Sequence, residues 1–382
     1  MQKGGQSFSR QMAVVCLALL FTSNATAVTD SFLSLSSPLT TNNQIWFTLA
    51  GESEVNYVIE ASSDLQSWSP VSTNSASGIS RLISIELAAE ATFYRVRRSI
   101  LPVFNAAITA KQGIDFKGTS ISVDSYDSAD PAYSTNGVYD PTKRKAGGDL
   151  LSGDGLLNVQ NATVKGRLWT GPTAPPPAIS LGSVGDLNWN GPGIEPGWLR
   201  NDFRFAIPDV LQPFSSGLLP GTITGAGGVV TNIVGSTNYM INGNFTLRGG
   251  DVLYVSGKAR VFVTGNFTMQ SGGGKSSLIR ITQNSTLQLF VGGANSTFTS
   301  VDTVGNDVSF QYYGLPTNTS LAWIGNSSYV GTIYAPEASV ILGAGGSSAM
   351  DFQGAVVADS FSFNGHFSFH YDENLRRIGP AR

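Results

Sequence analysis

The side chains able to do chemistry in this sequence of 382 residues fall into three places. The densest is acidic: Asp124, Asp127, Asp130 and Asp140, interleaved with Ser125, Tyr126, Ser128, Asn136 and Gly137. Hard oxygen ligands on a flexible loop are what Ca²⁺ selects, so Ca²⁺ is the one cofactor this stretch suggests. The spacing matches neither an EF-hand nor the nonapeptide Ca²⁺ repeats of other proteins. Asp and Asn also cap turns through side-chain to backbone bonds, and Lys143, Arg144 and Lys145 stand ready as counter-charge. Turn capping therefore outweighs a metal site, and no cofactor is expected to be required.

The second place is the pair His366 and His370, the only histidines, which at a spacing of four would share one face of a strand with Asp372 two residues on. Zn²⁺ binding or general-base work needs such groups. A structural zinc site, however, needs further His or Cys ligands, and the sole cysteine is Cys16, near the N-terminus. No Gly-x-Ser-x-Gly elbow accompanies the histidines, which argues against Ser-His-Asp hydrolysis. The third place is Glu195, which with Asp124 and Asp127 offers the carboxylates a polysaccharide-acting enzyme would use. Glycoside hydrolysis requires two carboxyls opposed at a defined separation, and no signature of that kind is present. Trp169, Trp189, Trp198 and Trp323 could stack on sugar rings or anchor packing.

The elements that must position these groups begin after a leader. Lys3 and Arg10 precede the apolar run Met12 to Phe21, and Ala25-Thr26-Ala27 is a small-residue cleavage pattern, so residues 1–27 are expected to be a cleaved secretory signal. The run is about 10 residues long, too short for the roughly 20 that span a bilayer. Removal of the leader would take Cys16 with it, leaving a thiol-free chain stabilised by packing and backbone hydrogen bonds. Charged residues make up only 13% of the sequence and hydrophobic ones 41%, which favours a large core over disorder. A net charge of −3, spread along the chain, provides no basic face for nucleic acid or anionic lipid.

Residues 28–100 read as a small β-module, with short alternating runs at Gln44 to Leu49, Tyr57 to Ala61 and Phe93 to Val96. Its segment Tyr57 to Trp68 with the closing Phe93-Tyr94-Arg95-Val96 resembles a fibronectin- or immunoglobulin-like accessory module. Beyond residue 105 many runs of β-formers are broken by Gly, Asn and Ser, and some resemble one another. Ile241 to Leu247 aligns with Val263 to Met269 at a spacing of 22, and Phe363 to Phe369 is a looser third copy. Gly331-Thr332-Ile333-Tyr334-Ala335 returns as Gly354-Ala355-Val356-Val357-Ala358 at a spacing of 23. Such a period in an all-β context predicts coils of a right-handed parallel β-helix, a solenoid, over residues 106–376. Phe245 and Phe267 should stack in adjacent coils.

Residues 106–376 also resemble an uncharacterised bacterial domain family of secreted proteins, sometimes described in connection with pilus-associated proteins. The resemblance rests on Asp124-Ser125-Tyr126-Asp127-Ser128 with Asp130-Pro131, Tyr139-Asp140-Pro141 with Lys143-Arg144-Lys145, and Gly193 to Trp198. It continues through Phe310 to Pro316, Gly331 to Pro336 and Phe369-His370-Tyr371-Asp372-Glu373. That family brings no established reaction, so it implies an extracytoplasmic, β-helical protein and no catalytic residues. The sequence thus points to an exported structural, adhesive or ligand-binding component in the periplasm, on the outer surface or in the medium. Its partners would be cell-surface or extracellular components, polysaccharide among them. A polysaccharide lyase or glycoside hydrolase is the alternative.

Overall fold

Short runs in which Val, Ile, Leu, Phe and Tyr alternate with Ser, Thr, Asn and charged residues become strands that bury one face, as in Leu157–Gln160 and Thr286–Val291. The structure is a computed structural model describing residues 103–118, 120–203, 207–305, 308–325, 327–343 and 350–378. Before residue 103 it describes 16–17, 34–35, 39–41, 44–50, 56–65, 68–75, 81–86 and 93–99. The expected leader therefore lies outside the described residues, apart from the two-residue strand Cys16–Leu17. The chain divides into two compact units, Met1–Leu101 with Arg382, and Pro102–Ala381.

In the smaller unit Asn56–Ser62 pairs antiparallel with Ser69–Ser75 and with Phe93–Ser99. Gln44–Ala50 pairs antiparallel with Leu39–Thr41 and Arg81–Glu86. Ile59 and Tyr94 are buried, and Arg95 pairs with Glu60 at 2.7 Å while its guanidinium lies 4.2 Å from the Trp68 ring centre. These are two small sheets, antiparallel but for the parallel pairing of Cys16–Leu17 with Phe93 and Tyr94; an immunoglobulin-like topology goes beyond what those pairings define.

The larger unit is all-β among its described residues, save a 3-10 turn at Ala226–Gly228 and one helical turn at Leu375–Ile378. Parallel pairing dominates, in a 21-stranded sheet and a 5-stranded one. One apolar column runs in register through Tyr239, Val261, Leu289, Tyr312, Ile333, Val356, Ile108, Leu150 and Leu168. Every member is buried. A second ladder carries Phe245 opposite Phe267, their ring centres 5.8 Å apart, and goes on through Ser296, Leu321, Val340, Phe361, Ile114 and Leu157. A third stacks Tyr329, Phe352, Phe369, Val123, Val164, Val184 and Ile194.

The matched motifs Gly331 to Ala335 and Gly354 to Ala358 lie directly against each other, residue for residue. Here backbone approaches backbone closely: Gly354 has φ +138°, and a Cβ there would come 1.8 Å from the Gly331 carbonyl oxygen. Only glycine fits. The third copy, Phe363 to Phe369, turns a different corner from the first two. Phe363 belongs to the ladder that Phe245 occupies, opposite Leu342 and Phe116, while Phe367 pairs with Met350 on the next.

Register also defines an order in space that differs from the order in sequence. From the Asn238–Ile241 end the first two ladders advance through increasing residue numbers to Met350–Asn364, which pairs with Ile108–Phe116, and the third advances to the C-terminal strand Phe367–Asp372. That strand pairs in turn with Ser122–Tyr126, close to the start of the unit, and the ladders continue through Leu150–Ser152 to Leu199–Arg200. Strands from the two ends of the unit's sequence therefore meet in its middle. Residues 201–203 and 207–220 lie along the outer side of the first ladder, on the way back from one end to the other. Phe203 N donates to the Thr170 carbonyl, Tyr334 Oη donates to the Pro208 carbonyl at 2.6 Å, Phe214 packs edge-on to Phe262, and Leu218 bridges to Tyr239.

Candidate functional site

The junction where the last strand meets Ser122–Tyr126 gathers most of the chemistry-bearing side chains. In the parallel pair Ser122–Tyr126 and Phe367–Asp372, Val123 stands opposite Phe369 and Asp124 opposite His370. Side chains alternate along a strand, so with Val123 and Phe369 in the core, Asp124 and His370 point outward. They are buried nonetheless, at 4% and 5% exposure, because residues 127–148 fold back over them. Lys145 holds that segment in place by exchanging both backbone hydrogen bonds with Ser125.

Asp124 Oδ1 lies 2.6 Å from His370 Nδ1, and Asp124 Oδ2 accepts from the Tyr139 hydroxyl at 2.7 Å. The Tyr139 ring stacks on the imidazole with centres 3.6 Å apart and planes 20° apart. Arg144 Nη1 is 4.0 Å from Asp124 Oδ2, and Asp351 Oδ1 is 3.6 Å from His370 Nε2. Burial works against the imidazolium, but hydrogen bonds and charge from Asp124 and Asp351 outweigh it, so the His370 pKa is raised. Burial, then the Asp124 charge and hydrogen bond, push the Tyr139 phenol far above its usual range.

An imidazole with a carboxylate on Nδ1 is the orienting half of many hydrolytic sites. Here the position a nucleophile or substrate would take at Nε2 faces a second carboxylate, Asp351. The result is an imidazole held between two carboxylates. Around it the two strands are joined further: Glu373 bonds to Ser125 Oγ and pairs with Lys145, and Tyr371 Oη donates to the Phe104 carbonyl. Ser128 N and Asn374 N both donate to Asp372 Oδ1, Asn374 Nδ2 donates to Ser128 Oγ, and Arg376 Nε donates to the Asn105 carbonyl.

The remaining residues singled out in the sequence are distributed otherwise. Asp127 Oδ1 accepts from Ala129 N and Asp130 Oδ1 from Ala132 N, both Asx-type turn contacts. Asp140 accepts from Thr135 Oγ1, Thr142 Oγ1 and Thr142 N, and these bonds bring its pKa down to about 2. Glu195 sits on another rung, where Oε2 accepts from Asp186 N at 2.7 Å beside Trp189 and the buried Lys165. Lys165 donates to the Trp189 carbonyl, and burial followed by the Arg144 charge lowers its pKa. His366 lies in the turn before the last strand, its carbonyl accepting from Met350 N. Asp124 and His370 thus come together, while Glu195 does not join them.

Among the described residues no group of three or more His, Cys, Asp or Glu side chains stands where it could hold a metal ion. Trp323, grouped in the sequence with the exposed aromatics, is 1% exposed and packs in the core against Tyr329. Trp169 and Trp198 each lie beneath a guanidinium, of Arg200 and Arg167 respectively. The sequence reading missed Asp351, and it carried Tyr139 only as part of a motif. No local signal announces either residue, since Asp351 and Asp124 are 227 positions apart and meet only through the strand order.

Fold and site together define an all-β protein built on a large parallel sheet in which the strands Ser122–Tyr126 and Phe367–Asp372 are clasped by a carboxylate–imidazole contact. Residues 222–378 match the model of a family described as Domain of unknown function (DUF7305). No curated protein matches the chain. Among solved structures it is similar to the competence-associated pilin ComZ from Thermus thermophilus, at 9% identity over 88% of this chain and 77% of that one. The TM-score of 0.18 is too low to support an argument. Among the described residues no helix is long and apolar enough to cross a membrane.

Proposed function

We propose that this chain is an exported, extracytoplasmic component without catalysis, structural, adhesive or ligand-binding in role. Its large unit would be a right-handed parallel β-helix, the hand that parallel crossovers adopt almost without exception. The supporting observation is the use made of the chemically capable side chains. The buried Asp124–His370 pair is spent on joining the strands Ser122–Tyr126 and Phe367–Asp372, with Asp351 in front of the free ring nitrogen. Glu195 caps a separate turn. Acid/base catalysis needs a positioned pair with room for substrate between them. Stacked rungs closed by such a clasp make a rigid surface.

Incubation of the purified protein with acidic and neutral polysaccharides, with and without Ca²⁺, tests this reading by following reducing ends and unsaturated products. Saturable binding without turnover is expected for a ligand-binding surface, and neither binding nor turnover for a purely structural one. Turnover that vanishes in Asp124→Asn or Glu195→Gln, with folding intact, would replace it by a polysaccharide-acting enzyme.

A further inference from the structure

Next to the histidine clasp, at the end of the last strand, is a carboxylate with one oxygen that no hydrogen bond reaches. Asp372 is fully buried. Its Oδ1 accepts backbone hydrogen bonds from Ser128 at 2.9 Å and Asn374 at 3.0 Å, which favour the ionised form. Its Oδ2 is sealed from solvent and has no hydrogen-bond partner. The adjacent acid is Asp127, 6% exposed, whose Oδ1 accepts from Ala129 N. Burial raises the Asp372 pKa against the hydrogen bonds from Ser128 and Asn374, and the nearby Asp127 charge adds to the rise.

The nearby cations are engaged elsewhere. Lys145 pairs with Glu373, Lys143 donates to the carbonyls of Pro131 and Ser134, and Arg376 donates to Asn105 O and Tyr371 Oη. An unpaired buried carboxylate oxygen beside a second carboxylate is a strongly unfavourable arrangement. The two turns that carry these acids, Asp127-Ser128-Ala129 and Asp372-Glu373-Asn374, interlock through the Asn374 Nδ2 to Ser128 Oγ bond.

We infer that Asp372 Oδ2 and Asp127 bind one hard divalent cation of the calcium class, with neutral oxygens of the two turns and water completing its shell. Oxygen ligands from short turns suit Ca²⁺, whose coordination is flexible. With two carboxylates rather than three or four, the affinity belongs with the weak extracellular sites, Kd about 10⁻⁴ to 10⁻³ M. The ion would lock the last strand of the unit to the segment after the first rung. This site is independent of the chain's role as a surface component and stands or falls by itself.

The test uses the full chain stripped of metal by chelation, with Tb³⁺ as probe, because Tyr126 and Tyr371 immediately precede the two acids and sensitise lanthanide emission at short range. The expected result is saturable Tb³⁺ emission that Ca²⁺ displaces, together with a Ca²⁺-dependent rise in the unfolding midpoint. Both should be lost in Asp372→Asn and weakened at least tenfold in Asp127→Asn. Should Asp372→Asn fail to fold, the more exposed Asp127→Asn carries the comparison. The proposal is overturned if the metal-free chain binds neither ion up to about 10 mM, well above the expected Kd, or if binding survives both substitutions. It is equally overturned if Ca²⁺ has no effect while Asp372→Asn raises the midpoint, since a shared proton would then occupy the position.

Discussion

His370 has opposing demands placed on it. Its ring is stacked under Tyr139 and nearly sealed from water, which disfavours charge, yet both nitrogens face carboxylates. The carboxylates win, and the folded pKa lies above the ordinary imidazole value. A histidine whose pKa is raised by folding contributes stability that is fully present below about 6.5 and is lost as pH rises through the folded value. We therefore expect the difference in unfolding midpoint between the natural chain and His370→Gln to be largest in mild acid and to shrink toward alkaline pH. Thermal unfolding from about pH 5 to about pH 9 measures it, across the range where imidazole titrates. A difference that stays constant with pH would mean that His370 acts by packing alone. Asp124→Asn removes one partner of a buried ion pair and should cost about 3–5 kcal/mol at acid pH, read by denaturant unfolding. At this scale the sequence was only partly informative. It offers Asp124 and His370 as candidates by residue type, but 246 positions separate them, and no periodicity read along the chain pairs two strands that far apart.

Strands and the covering segment divide the apolar residues between an inner and an outer layer. Phe267 belongs to the inner one, wholly buried and between the rings of Phe245 and Phe298 at 5.8 and 5.2 Å. Phe267→Ala should cost about 3–5 kcal/mol by denaturant unfolding, as for other core phenylalanines. The outer layer is the column Phe262, Phe290, Tyr313 and Tyr334, in register on the opposite side of the first ladder. Its members are nearly as buried as the core because residues 207–220 run alongside. Phe214→Ala, which loses the edge contact to Phe262 and the stacking of Arg260, should cost less, about 1.5–3 kcal/mol. It should also hasten proteolytic cleavage within 201–220, whereas Phe267→Ala should have no selective effect on that segment. Alternation and the spacing of 22 made Phe245 and Phe267 legible as neighbours, since adjacent rungs repeat a motif in step. The third motif copy misled for a physical reason: Gly and Asn at a corner serve any corner, so likeness of turn chemistry does not specify which ladder follows.

Across the whole larger unit the order of rungs in space is a rotation of their order in sequence. Starting from Asn238–Ile241, the rungs run to Phe367–Asp372, pass to the strands Ile108–Phe116 and Ser122–Tyr126, and finish at Leu199–Arg200. The matched family region, 222–378, covers only the first part of that path, and its last strand completes its pairing on residues that precede it in sequence. Composition and periodicity report local structure and the advance from rung to rung; they are blind to where a stack is cut, which is why this arrangement was not legible. The long traverse that includes residues 201–203 and 207–220 is needed only because the cut falls in the middle. The ends at the cut are close: Tyr371 Oη donates to Phe104 O, and Arg376 Nε donates to Asn105 O. Joining residue 378 to residue 103 by a short Gly/Ser linker and opening the chain between 203 and 218 therefore gives a circular permutant in which sequence order and rung order coincide. Permutation is tolerated where termini are near and the opened segment carries few core contacts. We expect this permutant to fold with an unchanged β-rich circular dichroism spectrum and to lose only the covering contacts of Phe214 and Tyr334, about 1.5–3 kcal/mol. The isolated fragment 222–378 should instead expose the edge of Phe367–Asp372 and aggregate, as unpaired edges do. Purification of both, with unfolding curves and size-exclusion profiles against the intact larger unit, decides the matter. A monomeric, cooperatively folded 222–378 beside an insoluble permutant would show that the rungs after residue 372 do not continue through Ile108–Phe116, and the rotated order would have to be abandoned.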